Sequence, residues 1–283
     1  MKNLKAFSKI CINFFDEVVS SKKNSTKDPD YKHRISLLKP NIGKCYDVYN
    51  KNFKNNTLLV IKSFGYNNPQ KEDLIKLYSY RNSKIQELKK NVTTTKYNRL
   101  INTCQNCTIN EAKTLDHILP KDDFPEFSIH PQNLFPSCSV CNGHKSTNWV
   151  KSSKPLFLNL YLDPLPADQY LFVEIKIDLR KRKIVTKFNL ENKSKIDADL
   201  FNIIQSHYSK LHLLGRFSDN CDDTISELKN TIKSGLEEGL TLGKIISIIQ
   251  RKCVKDRTHL GENHWKIILT EKLIAEPKFF KLI

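Results

Sequence analysis

Two Cys-x2-Cys pairs, Cys104-Gln105-Asn106-Cys107 and Cys138-Ser139-Val140-Cys141, constrain this chain more than any other stretch. A pair at that spacing forms a knuckle that fixes two sulfurs at the right separation for one metal. Two knuckles closing on one ion give the four-thiolate, tetrahedral arrangement of a structural zinc site. The 30 residues between Cys107 and Cys138 exceed the usual finger gap, which predicts folded structure inside the loop. That loop holds Leu115-Asp116-His117-Ile118-Leu119-Pro120 and Asn133, and Asn142-Gly143-His144-Lys145 follows the last cysteine directly. Weighed singly, each piece has a plain structural reading. Four cysteines alone serve equally well in a zinc ribbon that only binds a partner. Asp116-His117 alone is an ordinary surface pair, Asn133 a turn residue and Asn142 a helix cap. Their joint arrangement favours chemistry.

Over residues 100 to 150 the constellation resembles the HNH nucleases, whose fold is a two-stranded ribbon and a helix around one catalytic divalent ion (ββα-metal). The resemblance implies that His117 is the general base that takes a proton from the attacking water. It gives Asp116 and Asn142 as ligands of the catalytic ion, and Asn133 as the middle Asn that steadies the loop and orients the base. Cys104, Cys107, Cys138 and Cys141 match the zinc-bearing branch of the family. Some members carry a third protein ligand one helical turn after Asn142. Here that position is Ser146, a poor ligand, so the ion is expected on two side chains plus waters and substrate oxygens. Lys145 is expected at a phosphate, and His144 is left open.

The residue types suit that chemistry without the family name. Hydrolysis of a phosphodiester needs an activated water, a Lewis acid and stabilisation of the leaving 3′ oxygen. An imidazole accepts a proton near neutral pH. A carboxylate and an amide oxygen suit a hard ion such as Mg2+ or Mn2+. Neighbours on a strand point to opposite faces, so Asp116 and His117 should share a phosphate only where the backbone leaves regular strand geometry.

Charge names the partner class. A net +17 favours polyanions, nucleic acid before anionic membrane. The excess lies outside the motif: residues 1–100 carry 21 Lys plus Arg against 8 Asp plus Glu, while residues 101–150 carry 3 against 5. Basic arms flanking a near-neutral site are expected. Arg81, Lys84, Lys89 and Lys90, followed by Lys96 and Arg99, and the tip Arg180-Lys181-Arg182 are the candidate phosphate contacts. The alternative is that these cations merely solvate helix faces and a hairpin tip. No apolar run reaches membrane-spanning length. Asn13, Asp16 and Glu17 interrupt any signal-peptide core after Lys2, Lys5 and Lys9. With Cys11, Cys45, Cys221 and Cys253 scattered, as buried free thiols are, a cytoplasmic location is expected. With 8 glycines and no phosphate-binding glycine loop, the chain is no ATPase itself.

Apolar spacing predicts a helix over residues 4–19, a polar loop over 20–32 and a short strand or buried segment over 58–64. Asn68-Pro69 opens a helix expected to run past Leu88, and Phe124-Pro125-Glu126-Phe127 reads as an apolar anchor. The helix opened by Asn142 should reach about Val150. A hairpin is expected from residues 170–179 and 183–190, then helices from Asp197 to Gly215 and over 221–236, 242–253 and 263–275. The expected class is therefore α+β: a ββα-metal core with structural zinc, embedded in mostly helical flanks plus a β-hairpin. The expected divisions are 1–100 (basic, helical), 101–150 (HNH core), 151–196 (connector with hairpin) and 197–283 (helical). The expected activity is metal-dependent endonucleolytic cleavage of DNA, in restriction or anti-phage defence. RNA cleavage and a non-catalytic zinc module are the alternatives. The Ile245–Ile249 run and the closing Gly261-Glu262-Asn263-His264-Trp265-Lys266, which resembles the tail of HNH proteins from defence loci, suggest a partner ATPase or a second copy on the carboxy-terminal helices.

Overall fold

A computed structural model describes residues 1–23 and 25–283. The part of the expected 20–32 loop at Asn24 lies outside the described residues. The class is α+β, with helices around three small antiparallel strand pairs. Contacts divide the chain into two compact units. The first is residues 3–106 with 110–164, and the second is residues 165–283 with Met1–Lys2 and Cys107–Ile109. No described helix is long and apolar enough to cross a membrane.

The first unit is built around a helix that the sequence reading did not identify. Helix α1 spans Cys11–Ser21, and α2 runs 24 residues, Tyr31–Lys54. Tyr31, Ile35, Leu38, Ile42, Cys45, Tyr46, Tyr49 and Phe53 recur at three- and four-residue intervals and make one buried stripe. Pro40 sits inside α2 and weakens the helical signal, yet burial of that stripe outweighs the missing N–H. Residues before Cys11 are not helical; Leu4 N–H donates to Leu160 O (3.0 Å), so the expected helix over 4–19 begins about two turns late. Leu58–Val60 is a single 3-10 turn, not a strand. The helix expected from Pro69 past Leu88 is two: α3, Gln70–Leu77, and α4, Ser83–Thr93. Asn82 causes the break, because its Oδ1 caps α4 by accepting from the N–H groups of Lys84 and Ile85.

Between the cysteine pairs, β1 (Thr114–His117) pairs antiparallel with β2 (Leu134–Ser137), setting Asp116 against Phe135 and His117 against Leu134. A 3-10 turn, Pro125–Phe127, fills the loop between them, and Phe124 and Phe127 are buried against α2 and α3 as the apolar-anchor reading required. Helix α5 spans Ser139–Lys145 with Cys138 as its cap. It thus opens three residues before Asn142 and stops well short of Val150. Ser146 takes φ 49°, which ends the helix. The short strands β3 (Val150–Lys151) and β4 (Lys154–Pro155) follow.

In the second unit, β5 (Leu171–Asp178) and β6 (Lys183–Leu190) form the expected hairpin, paired from Leu171–Leu190 to Asp178–Lys183. The helices are α6 (Ala198–Lys210), α7 (Leu213–Asp219), α8 (Cys221–Glu237), α9 (Leu242–Leu260), α10 (Trp265–Ile274) and α11 (Pro277–Phe280). The single helix expected up to Gly215 breaks at His212, which has φ 53°. Ile245 and Ile249 face inward, while Ile248 stays outside. Trp265, at 2 % exposure, stacks on Phe217 at 5.7 Å and donates Nε1–H to Thr108 O. Asn263 starts the hairpin: its Oδ1 accepts from the N–H groups of Tyr170 and Leu171, and its Nδ2 donates to Asp168 O. Asn263→Ala would leave two buried N–H groups unpaired. It is expected to cost about 2–4 kcal/mol, read as a lower urea midpoint of the intact chain, whereas an unchanged midpoint would show that water replaces the amide.

Candidate functional site

All eight cysteines are reduced and buried, and four of them converge. The sulfurs of Cys104, Cys107, Cys138 and Cys141 lie within 4.8 Å of one another. Tetrahedral zinc with bonds of about 2.3 Å spaces its sulfurs by about 3.8 Å, so the cluster fits that ion. Polar neighbours support the sulfur charge. Cys138 Sγ accepts from Cys141 N–H at 3.3 Å and faces Asn110 Nδ2 at 3.9 Å, while Cys104 Sγ faces Ser137 Oγ at 3.9 Å.

Strand β1 delivers Asp116 and His117 side by side. Regular pairing continues through both, so their side chains leave opposite faces of the strand, and the backbone departure expected at this point is absent. On one face, the Asp116 Oδ1 turns back to accept from the N–H of His117 at 2.7 Å. Lys145, the last residue of α5, comes to meet it. Its Nζ lies 3.4 Å from Asp116 Oδ1 and donates to His117 O at 2.6 Å. Lys145 is buried, so in this structure the cation expected at a phosphate serves the Asp116–His117 backbone instead. Burial raises the Asp116 carboxyl above its ordinary value, and the nearby ammonium only partly offsets that.

On the other face, the His117 Nε2 lies 2.8 Å from Ser128 O, and the ring packs edge-on against Tyr78 at 4.7 Å. Burial lowers the imidazole to about 4, so the ring is neutral at physiological pH. A carbonyl can only accept, which places the ring proton on Nε2 and leaves the Nδ1 lone pair as the basic atom. Tyr78 also donates its hydroxyl to Leu115 O at 2.6 Å. Tyr78 falls within the helix that the sequence predicts from Pro69 past Leu88, where nothing marks it as a site residue.

Asn133 is wholly buried and uses its whole amide on the loop. The Oδ1 accepts from Leu119 N–H (2.7 Å) and the Tyr49 hydroxyl (3.2 Å), and Nδ2 donates to Leu119 O (3.0 Å) and Phe127 O (3.1 Å). Phe127 precedes Ser128, so the bonds of Asn133 fix the carbonyl that orients His117. Ser128 adds its own tether, Oγ–H to Leu74 O. Tyr49 is not legible from the sequence because α2 is not, though the three-four spacing around it is an available signal; Ser128 acts through its backbone carbonyl, which no side-chain pattern marks.

Asn142 stands half-exposed, three residues before Lys145 and so on the same face of α5. The Asp116 carboxylate and the Asn142 amide each offer an oxygen of the kind a hard divalent ion takes, and among the described residues the cation paired with Asp116 is Lys145. Among the outlying candidates, Arg81, Lys90, Arg180 and Lys181 are exposed. Lys84 pairs with Glu87 and Glu17, Lys89 donates to the Tyr80 hydroxyl, and Arg182 donates to Leu282 O.

Residues 104–148 match the model of the HNH endonuclease family. The chain is 39 % identical over 56 residues to protein ea31 of Escherichia phage lambda, a stretch of 19 % of each chain. It is 41 % identical over 49 residues to the Septu protein PtuB of Bacillus thuringiensis, covering 17 % of this chain and 18 % of that one. The alignments therefore span about a fifth of these relatives. No solved structure matches.

The cluster sets an expectation for metal content. Purified protein should carry about one tightly held zinc per chain, and Cys141→Ser should release it and lower the melting temperature, since binding free energy there is folding free energy. A metal-free wild type that melts at the same temperature as the loaded protein would refute this.

Proposed function

We propose that the chain is a metal-dependent endonuclease that hydrolyses phosphodiester bonds of DNA. The observation that carries the reading is His117, neutral, held through Nε2 by Ser128 O, and next in sequence to the buried Asp116. It is supported by the match of residues 104–148 to the HNH endonuclease model. The Nδ1 of His117 takes the proton of the attacking water, whose oxygen bonds to phosphorus as the bond to the 3′ oxygen breaks. Asp116 and Asn142 would hold Mg2+ or Mn2+, which supplies Lewis-acid stabilisation of the phosphate and the leaving oxygen. Asn133 acts through the loop and touches no reacting atom.

Substrate contacts in this reading come from the positive excess. Arg81 and Lys90 are exposed on or beside α4. Past it, Tyr97 projects at 63 % exposure with Lys96 and Arg99 over its ring, at 5.1 and 5.7 Å. Lys145 keeps its proposed nucleic-acid role only indirectly, through the Asp116–His117 backbone. Arg180, Lys181 and Arg182 make a second proposed contact at the hairpin tip. A cytoplasmic place in restriction or anti-phage defence belongs to the proposal, supported by the likeness to a Septu protein. So does docking of a partner ATPase or a second copy on the carboxy-terminal helices. Its support is the outward pair Ile248 and Val254 on α9, because Ile245 and Ile249 are buried within the unit.

The test is cleavage of supercoiled plasmid, single-stranded DNA and RNA with Mg2+, Mn2+ or EDTA. His117→Ala is expected to lose about 10²–10⁴-fold in rate while keeping its affinity for DNA; it also melts lower, because Ser128 O loses its buried partner, so rates are compared at a temperature where circular dichroism shows the variant folded. Undiminished cleavage by that variant would remove the histidine from the mechanism, and cleavage of RNA alone would reassign the substrate.

A further inference from the structure

Between α4 and the first cysteine pair, residues 94–100 fold back on themselves as a small closed turn. Thr94 bridges Leu100, and Ile101 N–H donates to Thr93 O at 2.9 Å, so the two arms are tied at the base. Inside the turn, Thr95 N–H donates to Arg99 O (2.8 Å) and Asn98 N–H donates to Thr95 O (3.0 Å). Thr95 Oγ1 accepts from the N–H groups of Tyr97 and Arg99. Asn98 takes φ 55°, which asparagine tolerates better than most side chains. These bonds hold the turn in one shape, and that shape carries Tyr97 outward at 63 % exposure.

A single exposed tyrosine is ordinary. The surroundings of this one are not. Lys96 Nζ and the Arg99 guanidinium lie 5.1 and 5.7 Å from the ring centroid, where a cation is drawn to a π-face. The ring stays mostly open even so, and a flat partner can still be added to it. Residues 88–110 hold Lys89, Lys90, Lys96 and Arg99 and no acid. The acids that bound this stretch are engaged elsewhere, Glu87 with Lys84 and Glu111 with Lys113. An open aromatic face with two cations beside it and no carboxylate suits a planar group attached to an anion. A nucleobase on its phosphate is such a group. Inside a duplex both faces of a base are covered by its neighbours, so a ring at the tip of a turn reaches a base face only where the base is unpaired.

We infer that Tyr97 is a stacking platform for an unpaired base of the substrate, with Lys96 and Arg99 on the phosphates beside it. The inference rests on the reading of the chain as a nuclease acting on DNA, and it narrows that substrate to DNA with unpaired bases. Every base has a π-face, so the platform selects strandedness and not sequence. The turn belongs to the same unit as the motif, and only residues 101–103 separate Leu100 from Cys104. Thr103 bridges Glu111, and β1 begins at Thr114. A strand held at Tyr97 is thus tethered to the backbone that leads into Asp116 and His117.

The experiment measures binding to the intact, zinc-loaded chain with no Mg2+ or Mn2+ added, and electrophoresis verifies that the DNA stays uncut. The probes are a fluorescent DNA strand, the same strand in a blunt duplex, and that duplex with a short unpaired bubble. Tyr97→Ala is expected to weaken binding of the single strand and the bubble by about 5–150-fold, as loss of one base–aromatic stack does. The duplex should lose less than about twofold. Tyr97→Phe keeps the flat face and should bind like the wild type. The dependence of binding on salt should be unchanged in Tyr97→Ala and flatter in Lys96→Glu combined with Arg99→Glu. A fluorescent base analogue in the single strand should be quenched by the wild type and not by Tyr97→Ala. The inference fails if Tyr97→Ala binds the single strand as tightly as the wild type, or if it weakens single strand and duplex equally. It also fails if Tyr97→Phe loses as much as Tyr97→Ala. Failure of the nuclease reading looks different: Tyr97-dependent binding of the single strand with no cleavage once Mg2+ or Mn2+ is added would leave this inference standing and remove the other.

Discussion

The four hydrogen bonds of the Asn133 amide are the constraint on which the site rests. A loop of sixteen residues joins β1 to β2, and a loop of that length has no intrinsic reason to hold one carbonyl in one place. Asn133 gives it one, by bonding both polar groups of Leu119 and the carbonyl of Phe127 while Tyr49 secures it from α2. A buried amide with every position satisfied is rigid because any displacement breaks several bonds in a medium without water. Ser128 O inherits that rigidity, and the His117 tautomer follows from Ser128. The sequence of causes runs from a helix stripe, through an asparagine, to one nitrogen lone pair.

What could be read from the sequence was what depends on local chemistry. The cysteine spacing anticipated the convergence of four sulfurs, since a knuckle is defined within four residues. The hairpin and α8 were likewise visible, because turn residues and strong periodicity lie inside one window. The failures share a different cause. Residues 4–10 have helical apolar spacing, but Leu4 is used instead in a backbone bond to Leu160, a partner more than 150 residues away. Asn82 looked like any polar helix position, and only its side-chain bonds show that it starts a new helix. Lys145, expected at a phosphate, is buried beside Asp116. Its burial follows from where α5 ends against β1, which sequence does not state.

The same distinction separates the two flanks. Residues 165–283 form a unit whose aromatic interior, Tyr170, Tyr208, Phe217 and Trp265, is closed by contacts among themselves. The Trp265 segment, which reads from sequence as exposed docking surface, is mostly interior. In the first unit, by contrast, the arms and the site cannot be separated. Tyr49 and Tyr78 come from the helical arm and touch the residues that the motif supplies. The motif of about fifty residues is thus not self-sufficient, and shared identity limited to it in the relatives says nothing about how each chain builds the supporting half.

The buried Lys145 also acts as a resident counter-ion. A carboxyl sequestered like Asp116 is held above its ordinary pKa by burial, and the ammonium 3.4 Å away partly offsets that, so its charged form is tolerated in the fold. On the proposed reading, in which Asp116 would hold a divalent ion, the same charge would oppose the ion, since a dication approaching Asp116 must share the carboxylate with a cation or displace it. Binding would then be an exchange of one positive charge for another, with net gain set by the difference between them.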